Sequence, residues 1–152
     1  MGAAVRATAL IAIAFAFLAI AAPARAEQAR TLNGNLAAGK PTVVVVSRAA
    51  SASDMRSEAY ADWAAYLNEF AADHRGKFEI LRVRPRDLKR LFANGTPIRQ
   101  RFATIFFRDQ KNAVYYDGMI HERSVYQAAA TFLSGQDTGP DTGLKPFRFR
   151  LR

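Results

Sequence analysis

The chain contains no cysteine. That absence excludes disulfide staples, thiolate nucleophiles, thiol–disulfide exchange and cysteine-ligated metal. Histidine is nearly absent too, with only His74 and His121. His74 belongs at the end of a helix, where an imidazole complements the helix dipole. His121 stands beside Glu122, too small a set for a metal site, and spacing offers no third ligand. No G-x-S-x-G marks an activated serine. Asp137 and Asp141 lack the pattern of a calcium loop. These gaps leave no catalytic, cofactor-binding or metal-binding constellation to nominate. Acidic residues are scarce, 13 against 22 lysines and arginines, for a net charge of +9. Such a balance favours acidic partners: proteins, polyanions or anionic lipid headgroups. Neither an RNP-like aromatic pattern nor zinc-finger spacing points to nucleic acid.

Long apolar runs are also few. The one that stands out, Ala9 to Ala22, has 14 residues, short of the roughly 20 that span a bilayer. Arg6 precedes it and Ala24-Arg25-Ala26 follows, the order of a secretory signal peptide with an A-x-A site. Residues 1–26 are therefore expected to be removed after Ala26, leaving a periplasmic or secreted protein. Removal would leave 126 of the 152 residues and take away Arg6 and Arg25, lowering the charge from +9 to about +7. That length suits one domain with a real core.

What is present reads as alternating strands and helices. Residues 27–40 make a short helix or an irregular lead-in, closed by Gly39-Lys40-Pro41. Thr42 to Ser47 is β-branched and apolar on both parities, as in a strand buried on both faces. Ser51-x-x-Asp54 has capping-box spacing. The helix behind it runs to about His74, with Tyr60, Trp63, Ala64, Leu67, Phe70 and Ala71 on one stripe. Residues 78–84 form a second strand, residues 86–93 a short helix, residues 103–108 a third strand. A polar turn at 109–112 leads to an antiparallel fourth strand at 113–117. A last helix spans about 122–133, with Val125, Ala129, Phe132 and Leu133 inward. Residues 27–133 are thus one domain, 134–143 a flexible linker and 144–152 a basic, aromatic tail.

The order β-α-β-α-β-β-α predicts an α/β three-layer sandwich around a mixed sheet. Strands alternating with helices predict right-handed crossovers. The segment Gly39-Lys40-Pro41-Thr42-Val43-Val44-Val45-Val46 and the run Ile98 to Phe107 resemble the first strand and the approach to the third strand of the thioredoxin-like superfamily. The resemblance extends from about Leu36 to Leu133. It implies that scaffold and places Ser51-Ala52-Ser53-Asp54 where the family carries Cys-x-x-Cys. The family's cis-proline would fall at Phe102 or Ala103. A cis bond without proline costs about 2.5–4 kcal/mol, so a trans bond is expected. Ser51, Ser53, Asp54, Phe102 and Ala103 thus mark a degenerate active-site position. Of these, Ser51, Ser53 and Asp54 form either a plain N-cap or an anion-favouring pocket.

Two basic features remain. Arg82, Arg84, Arg86, Lys89, Arg90, Arg99 and Arg101 cluster around the second helix, as a solvated surface or a binding face. In the tail, an extended chain puts Phe147, Phe149 and Leu151 on one side and Arg148, Arg150 and Arg152 on the other. It could fold back on its own core, add to a sheet edge or lie on an anionic membrane. Arg86, Lys89, Arg90 and residues 147–152 are therefore the candidate partner-binding residues. The function expected is a non-catalytic binding or assembly module of the bacterial envelope with an acidic protein partner. The alternatives are a tail-anchored protein of an anionic membrane surface, or a cysteine-independent enzyme using Ser51 to Asp54 and His121.

Overall fold

The computed structural model describes residues 25–139 and 141–152. The signal-peptide reading lies outside these residues, save Arg25 and Ala26. The elements are α1 (Arg25–Ala37), β1 (Thr42–Val46), α2 (Ala52–Met55), α3 (Glu58–Asp73), β2 (Glu79–Val83), α4 (Pro85–Leu88), β3 (Ala103–Phe107), β4 (Ala113–Asp117), α5 (Arg123–Leu133) and β5 (Lys145–Pro146). The strands form one mixed sheet in the order β2-β1-β3-β4-β5.

The valines of β1 account for its central place. Every residue of the strand is fully buried, and alternation divides them between two half-cores. Val44 and Val46 join Leu32 and Leu36 of α1, with Leu88, Leu91, Phe92 and Phe147. Val43 and Val45 join Trp63, Leu67 and Phe70 of α3, with Val125, Tyr126, Ala129 and Leu133 of α5. Helices therefore cover both faces. In α1 the buried positions Gln28, Leu32 and Leu36 follow a four-residue step. The Gln28 amide donates to the Arg82 carbonyl at 3.0 Å, which satisfies a buried polar group at the edge strand.

β1 and β2 pair in parallel, joined through α3. The alternation misleads for β3, which runs antiparallel to β1. The register gives the reason. Val46 lies opposite both Val83, where β2 ends, and Ala103, where β3 begins. The chain has only to pass across that end of the sheet, so no full crossover helix is needed. This explains why α4 is a single turn. Residues 89–93, expected to stay helical, leave the helix and put Phe92 in a bridge with Leu151.

The long helix is also interrupted. The Ser51–Asp54 capping box is formed, but it opens only the single turn α2. The chain restarts at Ser57, whose hydroxyl oxygen accepts from the Tyr60 N–H at 3.1 Å and caps α3. The polar turn after β3 is held by Asp109, whose Oδ1 accepts from the Lys111 and Asn112 N–H groups. This fixes the β3–β4 hairpin in its expected register.

Residues 145–152 add to the sheet and then cross its α1 face. Lys145 and Pro146 pair with Tyr115 and Val114. Proline is tolerated there because β5 is an edge strand. Gly143 precedes it with φ 75, and a Cβ there would meet the Tyr116 ring at 3.4 Å.

Candidate functional site

The sheet end where β1 and β4 stop and β3 starts carries a cleft of about 200 Å³, lined by Arg48, Asp54, Gln100, Arg101, Phe102, Gly118 and Met119. Three short segments place these residues. The loop after β1 brings Arg48 and Asp54. The approach to β3 brings Gln100 to Phe102. The turn after β4 brings Gly118 and Met119. Asp117 locks the second segment, since its carboxylate accepts from the N–H groups of Arg99 and Gln100 at 2.9–3.2 Å. Gly118 holds φ 125, which a Cβ would disfavour, and donates its N–H to the Phe102 carbonyl at 2.8 Å.

Of the five residues expected from sequence to mark a degenerate active site, Asp54 and Phe102 line this cleft. Ser51 caps α2 from its rim, exposed Ser53 belongs to α2, and Ala103 is fully buried in the α1 half-core. Among the described residues every peptide bond is trans. The Ser51 hydroxyl accepts from the Asp54 N–H at 3.1 Å and donates to Asp54 Oδ2 at 2.8 Å. Its bonds are those of a cap, with no imidazole beside it. His121 Nδ1 lies 3.1 Å from the Met119 carbonyl, which can only accept, and His121 does not line the cleft.

The electrostatics are basic with one carboxylate. Arg48 Nη2 meets Asp54 Oδ2 at 3.1 Å. Bonds from the Ser51 backbone and hydroxyl, then the charges of Arg48 and Arg101, outweigh desolvation and hold the Asp54 carboxyl below its ordinary value. Arg48 Nε is buried without a hydrogen-bond partner among the described residues. Arg48, Gln100 and Met119 were not singled out from sequence. They lie in unrelated loops, and only the tertiary fold brings them together.

A second candidate surface lies on the α1 face. Phe147 is 2 % exposed and packs edge-on against Phe92, Phe107 and Tyr115 at 5.1–6.0 Å. Phe149 meets Phe107 at 4.9 Å. Beyond them the chain pairs with the segment after α4. The Ala93 N–H donates to the Arg150 carbonyl at 2.7 Å, and the Arg152 N–H donates to the Leu91 carbonyl at 3.1 Å. The Asn94 side chain completes the seam, donating to the Arg148 carbonyl and accepting from the Arg150 N–H. Asn33 of α1 donates to the Arg152 carbonyl at 3.1 Å. Phe147, Phe149 and Leu151 therefore face the core, while Arg148, Arg150 and Arg152 are exposed. The pairing sets them beside the segment that carries the exposed cations Arg86, Lys89 and Arg90. Arg84 lies at its start, 2.8 Å from the buried Asp87 carboxylate. Asn94, just beyond the segment expected to be the second helix, is the residue that joins the two basic segments.

Against protein-family models, curated proteins and solved structures, the chain finds no significant match.

Proposed function

We propose that this chain is a non-catalytic binding or assembly module of the bacterial envelope, built on a thioredoxin-like scaffold, that holds an acidic protein partner on its basic α1 face. The backbone seam between residues 91–94 and 148–152 carries this reading. It joins two cationic segments, far apart in sequence, into one surface that bears Arg86, Lys89, Arg90, Arg148, Arg150 and Arg152. A mixed sheet with helices on both faces, in the order β-α-β-α-β-β-α, supports the scaffold. Without cysteine, thiol exchange is chemically excluded. Ser51 acting as a cap weighs against a catalytic role for the sheet end.

The test is capture from solubilised envelope extract by the chain beginning at Glu27, beside sedimentation with anionic vesicles. An acidic protein released by salt supports the reading, because screening weakens exposed charge contacts. Vesicle binding with no protein captured would favour the membrane surface instead. There, exposed arginines contribute about 1 kcal/mol each near the headgroups. The inward set of Phe147, Phe149 and Leu151 weighs against that alternative, since these side chains are taken up by the chain's own core.

A further inference from the structure

On the opposite face of the sheet, α3 and α5 lie side by side, and a cleft of about 310 Å³ opens between them. Its buried floor is aromatic. Phe70 and Tyr126 are each 4 % exposed, with ring centroids 5.4 Å apart. Tyr66 and Ala130 form its walls. His74 also lines the cleft, packed between Phe70 and Phe78 with ring centroids 4.8 Å from each.

Two polar atoms of these lining residues have no hydrogen-bond partner among the described residues. They are the Tyr126 hydroxyl and His74 Nδ1, both buried. Buried polar groups are normally hydrogen-bonded, and an unmet one is destabilising. The Tyr126 ring accounts for the packing against Phe70, and a phenylalanine would supply the same ring. The hydroxyl adds only a cost until something meets it. Burial also raises its pKa, so it is present as a neutral O–H donor and acceptor.

The rim carries a net negative charge. Arg123 is engaged twice, with Glu69 at 3.1 Å and over the Tyr66 ring at 5.0 Å. Asp73 makes no ion pair among the described residues, so Glu69, Asp73 and Arg123 leave one negative charge in excess. That is opposite in sign to the chain as a whole, at +9. The volume lies at the lower end of the range of small-molecule sites, about 300–1,000 Å³. At roughly 30 Å³ for each water-sized group it admits about ten such groups, the size of a fused pair of rings with a short arm.

We propose that the α3–α5 cleft binds a small aromatic amine, with its ring on Phe70 and Tyr126, a hydrogen bond to the Tyr126 hydroxyl or His74 Nδ1, and its ammonium at Asp73. This site is independent of the basic face and of any partner there.

Calorimetric titration of the chain from Glu27 with tryptamine tests it, with indole-3-acetate as the probe of reversed charge. Saturable binding of tryptamine is expected, with indole-3-acetate at least about tenfold weaker. Tyr126→Phe should weaken tryptamine about tenfold, the loss of one hydrogen bond, while leaving Tm unchanged or higher. Ala130→Leu should fill the cleft and abolish binding. No saturable binding of tryptamine at millimolar concentrations would overturn the proposal. Equal binding of the two probes, or tryptamine binding untouched by either substitution, would overturn it as well. A lower Tm for Tyr126→Phe would show that the hydroxyl is already satisfied in the free protein, and would remove the observation on which the site rests.

Discussion

Single side chains decide much of this structure, and several do work that their type alone does not announce. Ser57 interrupts what would otherwise be one helix and starts α3 by capping the Tyr60 N–H. Ser57→Ala should destabilise the fold by about 1 kcal/mol, typical for loss of a cap, as read from chemical denaturation. Asp54 has a matching role at α2. Its carboxyl is held low by the Ser51 bonds and then by Arg48 and Arg101. A depressed carboxylate contributes stability that is fully present above its unfolded value of 3.8. That contribution fades as pH falls through the lower folded value. Asp54→Asn should therefore lower Tm at neutral pH, and the difference from wild type should vanish in strong acid. A gap that persists there would mean that Asp54 acts through something other than its charge. Ser51 and Asp54 were legible in the sequence because a capping box is a local pattern. Ser57 carried the same kind of signal, a serine followed by Glu58, but the continuous apolar stripe from Tyr60 to Ala71 masked it.

Among the elements, the C-terminal strand and strap differ most from what local pattern implies. Alternation of aromatic and arginine showed that one side of the segment would be apolar, and this is how Phe147, Phe149 and Leu151 lie. What alternation could not show is which surface that side would meet. The answer depends on Phe92 leaving the short helix and on Asn94 offering its amide to the Arg148 carbonyl and the Arg150 N–H. Both are long-range events, 54 to 59 residues apart in sequence. Phe147→Ala should cost about 3–5 kcal/mol, the range for a buried phenylalanine, measured by urea denaturation. A cost near zero would place Phe147 outside the core. The consequence for experiment is direct. Truncation after Leu144 removes core as well as charge, so any binding lost with it is uninterpretable. Neutralising Arg148 and Arg150 leaves the inward residues in place. The antiparallel β3 makes the same point from another side. Strand composition identified it, whereas its direction follows from which end of the sheet the chain returns to.

At the scale of the whole molecule, the two faces of the sheet differ in charge. The α1 face bears an array of exposed cations, while the α3–α5 cleft carries an acidic rim. Net charge alone, read from composition, implied an acidic partner but not a location. The seam at residues 91–94 and 148–152 joins two cationic segments that composition treats as separate, and it is there that we propose the partner binds. Binding at this face should fall steeply as ionic strength rises, because its charges are exposed and screened over about 8–10 Å at physiological salt. Glu69 and Asp73 lie on the opposite face, so their neutralisation should leave that salt dependence unchanged. The sheet end near Arg48 and Asp54 should contribute little. Ser51→Ala should leave captured partner at wild-type levels, whereas a marked loss would move the contact to the degenerate active-site position.

The most direct measurement is quantitative capture of envelope proteins by wild type and by the Arg148→Gln/Arg150→Gln variant, with Tm determined for both. Arg152 is kept because its Nε donates to the Phe92 carbonyl at 3.2 Å. An acidic partner reduced at least about tenfold in the variant, at unchanged Tm, is the predicted result. Equal recovery of that partner by the two proteins would contradict the assignment of the basic face.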